Sequence, residues 1–220
     1  MLLDPGGHAH RYEIERYRTE VRVEPRQQQV FRTSGNNPRD VVYDNYATLK
    51  RTVRFAHSNR CLKPFTIKYG TRSAGCIVAQ CSARNEAPPS VIEQWNDNNV
   101  FYQFGFTPDP KHDFTLDVEI YKGFDEGHRD VHFHLLDHSY YRQLTYVLDL
   151  TAYVAAGYDV TVGPSFYLDP SDAMHDEICA RRKLLEPLPP TRRPAPGRYE
   201  WDLQNIQRGI VDIVWDVEKR

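Results

Sequence analysis

No window of the sequence approaches the roughly 20 consecutive apolar residues that a membrane-spanning helix needs. The start, Met1-Leu2-Leu3-Asp4-Pro5-Gly6-Gly7, has neither the basic residues nor the apolar core of a signal peptide. Cysteine is sparse. Cys61, Cys76, Cys81 and Cys179 show neither a paired CxxC zinc spacing nor the density of a disulfide framework, so reduced thiols in a soluble, cytoplasmic protein are expected. A dominant charge is missing too. Lys and Arg number 28 against 30 Asp and Glu, which speaks against a nucleic-acid binder relying on a broad basic surface. Neither a P-loop nor a GxGxxG occurs. Gly163-Pro164-Ser165-Phe166-Tyr167 lacks the second glycine of a nucleophile elbow.

The chain is rich in aromatic residues, at 12% with 14 tyrosines, and this favours strands and interfaces over a helical bundle. Apolar residues alternate with polar ones in many short runs. The clearest sets Phe114, Leu116, Val118 and Ile120 against Thr115, Asp117, Glu119 and Tyr121, and it is expected to form a hairpin with Val100 to Phe106. Val211, Ile213, Trp215 and Val217 make a final strand apolar enough to lie inside a sheet. The fold class is therefore all-β, an antiparallel β-sandwich of jelly-roll or immunoglobulin/C2-like type. One short helix is expected near residues 170–185, opened by Asp169-Pro170-Ser171-Asp172. Ser90-Val91-Ile92-Glu93 fits a capping box for a further helical turn including Trp95. Residues 1–39 read as an N-terminal strand or arm with a polar loop from Gln27-Gln28-Gln29 onward. Residues 40–220 read as the sandwich domain, with the proline-rich stretch 187–197 a loop inside it.

Chemistry gathers in Gly127-His128-Arg129-Asp130-Val131-His132-Phe133-His134-Leu135-Leu136-Asp137-His138. On a strand, Asp130, His132 and His134 fall on one face, and two imidazoles with a carboxylate suit one divalent ion such as Zn, Fe or Mn. His175 is the candidate fourth ligand. A solvated strand face, with Val131, Phe133 and Leu135 inward, has the same spacing. The run from His132 to His138 resembles the HxHxDH signature of metallo-β-lactamase-like hydrolases, with one residue extra before Asp137. That resemblance implies a metal-dependent hydrolase; of the further histidines that family needs downstream only His175 remains, with no βαβ framework around it. The HxH pair is also similar to that of cupin-like jelly-rolls, which implies a metal-dependent enzyme on an all-β fold. Asp137 would there stand in for the family's glutamate.

Two sets of residues suit a partner surface. Tyr140, Tyr141 and Arg142 are types enriched at binding hot spots, with Tyr146, Tyr153 and Tyr158 nearby. Arg192 and Arg193, with Arg181-Arg182-Lys183, form a basic patch around the prolines. Without a complete catalytic set, the leading expectation is a non-catalytic recognition or regulatory module acting with other domains or a protein partner, with homodimerisation through edge strands a further expectation. The alternatives are the metal-dependent jelly-roll enzyme and a carbohydrate-binding module using tryptophan faces. Trp201 and Trp215 look like core residues.

Overall fold

Side chains that alternate apolar and polar bury one face of an extended chain and wet the other. The fold is built almost wholly on that rule. A computed structural model describes residues 12–32, 39–61, 65–71, 75–78, 90–96, 99–111, 113–122, 129–168, 183–184 and 188–220. Its elements are β1 (Tyr12–Arg32), β2 (Arg39–Phe55), β3 (Phe65–Thr71), β4 (Gly75–Val78), β5 (Ser90–Asn96), β6 (Asn99–Phe106), β7 (Phe114–Lys122) and β8 (Arg129–Asp149). Then come α1 (Thr151–Ala155), β9 (Tyr158–Leu168), β10 (Lys183–Leu184), β11 (Arg192–Ala195) and β12 (Arg198–Lys219). The architecture is all-β and sandwich-like, not a barrel. No described helix is long and apolar enough to cross a membrane.

The larger sheet runs β10-β9-β12-β8-β1-β2-β7-β4, with β11 also beside β12; a second sheet runs β3-β6-β5. Only the β1–β8 pair is parallel among the described ladders. Register aligns the apolar positions into rows. Leu203, Leu144, Tyr17 and Val53 follow one another across β12, β8, β1 and β2, and all four are buried. Trp201, Tyr146, Thr19 and Arg51 make the next buried row. Phe65 of β3 joins the core edge-on to Tyr12 and Phe55. Residues directly opposite in a ladder share a sheet face, so the intervening residues form the other face.

Several local expectations are corrected. Gln27-Gln28-Gln29 are not loop but continue β1, which lies between β8 and β2. Ser90-Val91-Ile92-Glu93 is strand β5, not a helical turn. Cross-strand pairing with β6 outweighs the capping pattern, and β-branched Val91 and Ile92 suit it. Val100–Phe106 and Phe114–Ile120 do not pair with each other: β6 joins β3 and β5, while β7 joins β2 and β4. The described helix is α1, at 151–155. Of the span expected as helix, Lys183–Leu184 is strand β10, and 170–182 and 185 lie outside the described residues. Val211, Ile213, Trp215 and Val217 are buried between β8 and β9, as expected.

Candidate functional site

Strand alternation slips by one residue at the same level in three neighbouring strands. The buried residues run Tyr12, Ile14 and then Tyr17 in β1, Ser139, Tyr141 and then Leu144 in β8, and Leu203 and then Ile206 in β12. Each slip keeps two successive residues out of the core: Glu15 with Arg16, Arg142 with Gln143, and Gln204 with Asn205. Pairing stays in step, with Ile14, Tyr141 and Ile206 in one row and Arg16, Gln143 and Gln204 in another. Val53 and Phe55 of β2 keep normal alternation, so the β1–β2 register shifts between Ile14 and Arg16. Asn205 takes up the distortion with φ 56°, in the left-handed region that asparagine tolerates better than most residues. An extra residue bends a strand and re-aims its side chain. Three in line make a crease across β1, β8 and β12.

Arg142 projects from the middle of the crease. Its guanidinium donates to Ser58 Oγ at 3.1 Å and pairs with Glu15 at 3.1 Å and Glu13 at 3.9 Å. Ser58 Oγ donates to Glu13, whose own N–H donates to Asn59 Oδ1. Ala56 N–H closes on the Glu13 carbonyl, so the 56–61 turn is clasped onto β1 beside Arg142. Tyr140 donates its hydroxyl to Asn205 Oδ1 at 2.7 Å, bracing the same row. Nearby, Arg54 hydrogen-bonds Asp113 and holds its carboxyl below the usual carboxylate range, with the charges of Arg54 and Arg16 acting in the same sense.

A second cluster lies further along the same face. Glu200 accepts ion pairs from Arg198 at 3.3 Å, Arg192 at 3.2 Å and Arg18 at 3.8 Å. Arg198 also reaches Asp149 at 3.0 Å and Glu20 at 3.2 Å; Arg192 reaches Asp202 at 2.6 Å. Burial alone would lower the pKa of Arg198, but Glu20, Glu200 and Asp149 outweigh it and raise it. Thr145 hydrogen-bonds Asp202 across the ladder.

The expected binding residues thus divide. Tyr141 is 2% exposed and packs edge-on to Tyr17 in the core, so it offers no surface. Tyr146 and Tyr153 are buried as well. Tyr140 and Arg142 belong to the crease, and Arg192 to the Glu200 cluster. Arg193 is exposed, with its guanidinium 5.3 Å from the Tyr199 ring centre. Glu13, Glu15, Ser58, Arg18 and Glu200 were missed by sequence reasoning. Apolar spacing of three inside an alternating strand, as between Ile14 and Tyr17 or Leu203 and Ile206, was the available signal for the crease. Asp130, His132 and His134 stand in β8 in register with Trp215, Ile213 and Val211 of β12; their side chains lie outside the described ones, and His175 lies wholly outside. Among the described residues, no three His, Cys, Asp or Glu side chains gather as metal ligands. Trp201 and Trp215 are buried and present no stacking face to a sugar.

No family model matches the chain, and no curated protein matches it. Among solved structures it is similar to an M1 zinc metallopeptidase from Deinococcus radiodurans, at TM-score 0.35 and 7% identity over 94% of this chain and 42% of the peptidase. A mutant of that peptidase bound to a Tyr-Ser-Ala substrate gives 0.33 and 8%, over 93% and 42%. A putative nutrient binding protein from Legionella pneumophila gives 0.33 and 9%, over 93% and 67%. The chain spans under half the length of the peptidases, and likenesses this slight pass no residue role to it.

Proposed function

We propose that the chain is a non-catalytic recognition module that meets a protein partner with the face carrying the crease. The observation that supports this is the alignment of three slips in strand alternation, which turns Arg142 and its neighbours outward from the sheet. A single bulge can be a local accommodation. Three in one row, at the meeting of Tyr140, Arg142, Glu15 and the 56–61 turn, make a shaped and polar surface of the residue types that serve as hot spots. A cytoplasmic location and self-association through sheet edges are parts of the same proposal. Arg142→Glu tests it. Quantitative affinity capture from the source cells should enrich a partner with the wild-type chain. The variant should lose that partner by about 30-fold, the equivalent of roughly 2 kcal/mol for a hot-spot residue. Equal capture by a variant with an unchanged melting temperature would sink the reading.

A second reading, the metal-dependent jelly-roll enzyme, is favoured by the continuity of β8. Asp130, His132 and His134 occupy alternate positions of one unbroken strand, the spacing a metal site uses. Near-stoichiometric zinc, iron or manganese is expected by mass spectrometry of untagged protein if this reading holds. It should vanish in the His132→Ala/His134→Ala variant, whereas a metal-free protein after incubation with all three ions would end the idea.

A further inference from the structure

Carboxylates and guanidiniums on the charged face do not sit at one level. Around Glu200, whose side chain is 14% exposed, Arg18, Arg192 and Arg198 are 42%, 56% and 24% exposed. Arg198 is likewise more exposed than Asp149, Arg192 more than Asp202, and Arg18 more than Glu20; the Arg198–Glu20 pair is nearly level. Glu200 and Asp149 lie lowest, and long arginine stems carry the cations above them. Strand register builds this arrangement, since Glu200 and Glu20 flank Val147 in one row. In the ion pairs among the described residues, Arg18 and Arg192 approach the carboxylates through Nη2.

We propose that this arginine layer, Arg18, Arg192 and Arg198 above Glu200, docks an acidic peptide segment of the partner. The inference rests on the recognition reading and names the chemistry of what is recognised. Carboxylates match the planar fork of guanidinium donors and can be held by two bonds at once. The submerged acids hold the arginines in place beforehand, so less side-chain freedom is lost on docking. Single-stranded nucleic acid fits less well. Tyr199, between Arg198 and Glu200, is 7% exposed, so bases would find no open stacking face at this ring.

Fluorescence anisotropy with a labelled oligo-glutamate peptide and the full chain tests the inference, with oligo-glutamine and a single-stranded oligonucleotide as comparisons. Oligo-glutamate should bind, oligo-glutamine should not, and binding should weaken as salt is added. Arg18→Glu/Arg192→Glu should weaken it at least tenfold. Arg192→Gln should weaken it several-fold at an unchanged melting temperature, and this milder variant decides the matter if the double reversal does not fold. Failure of oligo-glutamate to bind at low salt, or equal binding by Arg192→Gln, overturns the inference. Tighter binding of the oligonucleotide overturns it in favour of a nucleic-acid partner. Capture that depends on Arg142 reads the parent proposal separately, so a module whose partner is not acidic would still be recognised as one.

Discussion

Trp201→Ala is expected to remove roughly 3–5 kcal/mol of unfolding free energy. That is a large part of the about 5–15 kcal/mol that holds a typical domain folded. Trp201 is fully buried in β12, with Tyr146, Phe166 and Tyr199 rings at 6.4, 6.2 and 6.3 Å between centroids, the last nearly parallel to it. Those partners come from three strands, so no single movement can close the void. The indole N–H also donates to Thr191 Oγ1 at 2.9 Å and ties the stretch before β11 to the sheet. Trp201→Phe keeps most of the ring volume but loses this bond, and it should cost markedly less than alanine. Guanidinium titration followed by far-ultraviolet circular dichroism checks both. A loss below about 1 kcal/mol for alanine, far under the range for large-to-small core changes, would show that the site collapses freely.

Gly197→Ala should be nearly as damaging, at roughly 2–5 kcal/mol from backbone strain and overpacking together. Gly197 has φ 79°, where an L-residue is strained, and an added Cβ would lie 2.9 Å from the Leu150 carbonyl oxygen and 2.8 Å from Val154 Cγ2. The valine methyl can turn aside. The Leu150 carbonyl cannot shift so readily, because Tyr153 and Val154 of α1 donate to it, while Leu150 N–H bonds Gly197 oxygen at 2.8 Å. Gly157 provides the control. Its φ is 85°, but a Cβ there would meet nothing within 4 Å, so Gly157→Ala should show the backbone term alone, about 1–2 kcal/mol. Thermal melts of the two variants side by side separate strain from collision. Equal losses would mean that the contact with Leu150 is not tight in solution.

Strand β12 was legible because its apolar residues alternate without a break from Val211 to Val217, and a strand so apolar needs neighbours on both sides. Other features depend on contacts that local pattern does not encode. Gln27-Gln28-Gln29 resembles a loop in composition, but the ladder to β2 extends it as strand. The separation of β6 from β7 could not be read either, since the intervening Pro108-Asp109-Pro110-Lys111 turn suits a hairpin just as well. Tyr140, Arg142 and Arg192 were singled out by residue type, while Tyr141 was placed with them although alternation with Ser139 makes it a core residue. Glu13, Ser58 and Glu200 gain meaning only from strands brought together over long stretches of sequence. Ser58 and Arg142 are 84 residues apart.

Strand β8 has β1 on one side and β12 on the other. Tyr12 lies beside Ser139, and Arg198 opposite Asp149. During synthesis β1 therefore waits more than a hundred residues for its parallel neighbour. β8 in turn keeps one long, apolar-faced edge open until β12 has left the ribosome. Pairings so distant in sequence close slowly, and an open edge in the meantime is a template for the wrong strand. The nascent chain should thus be most prone to misassembly, and most dependent on chaperones, in the interval between the emergence of β8 and that of β12.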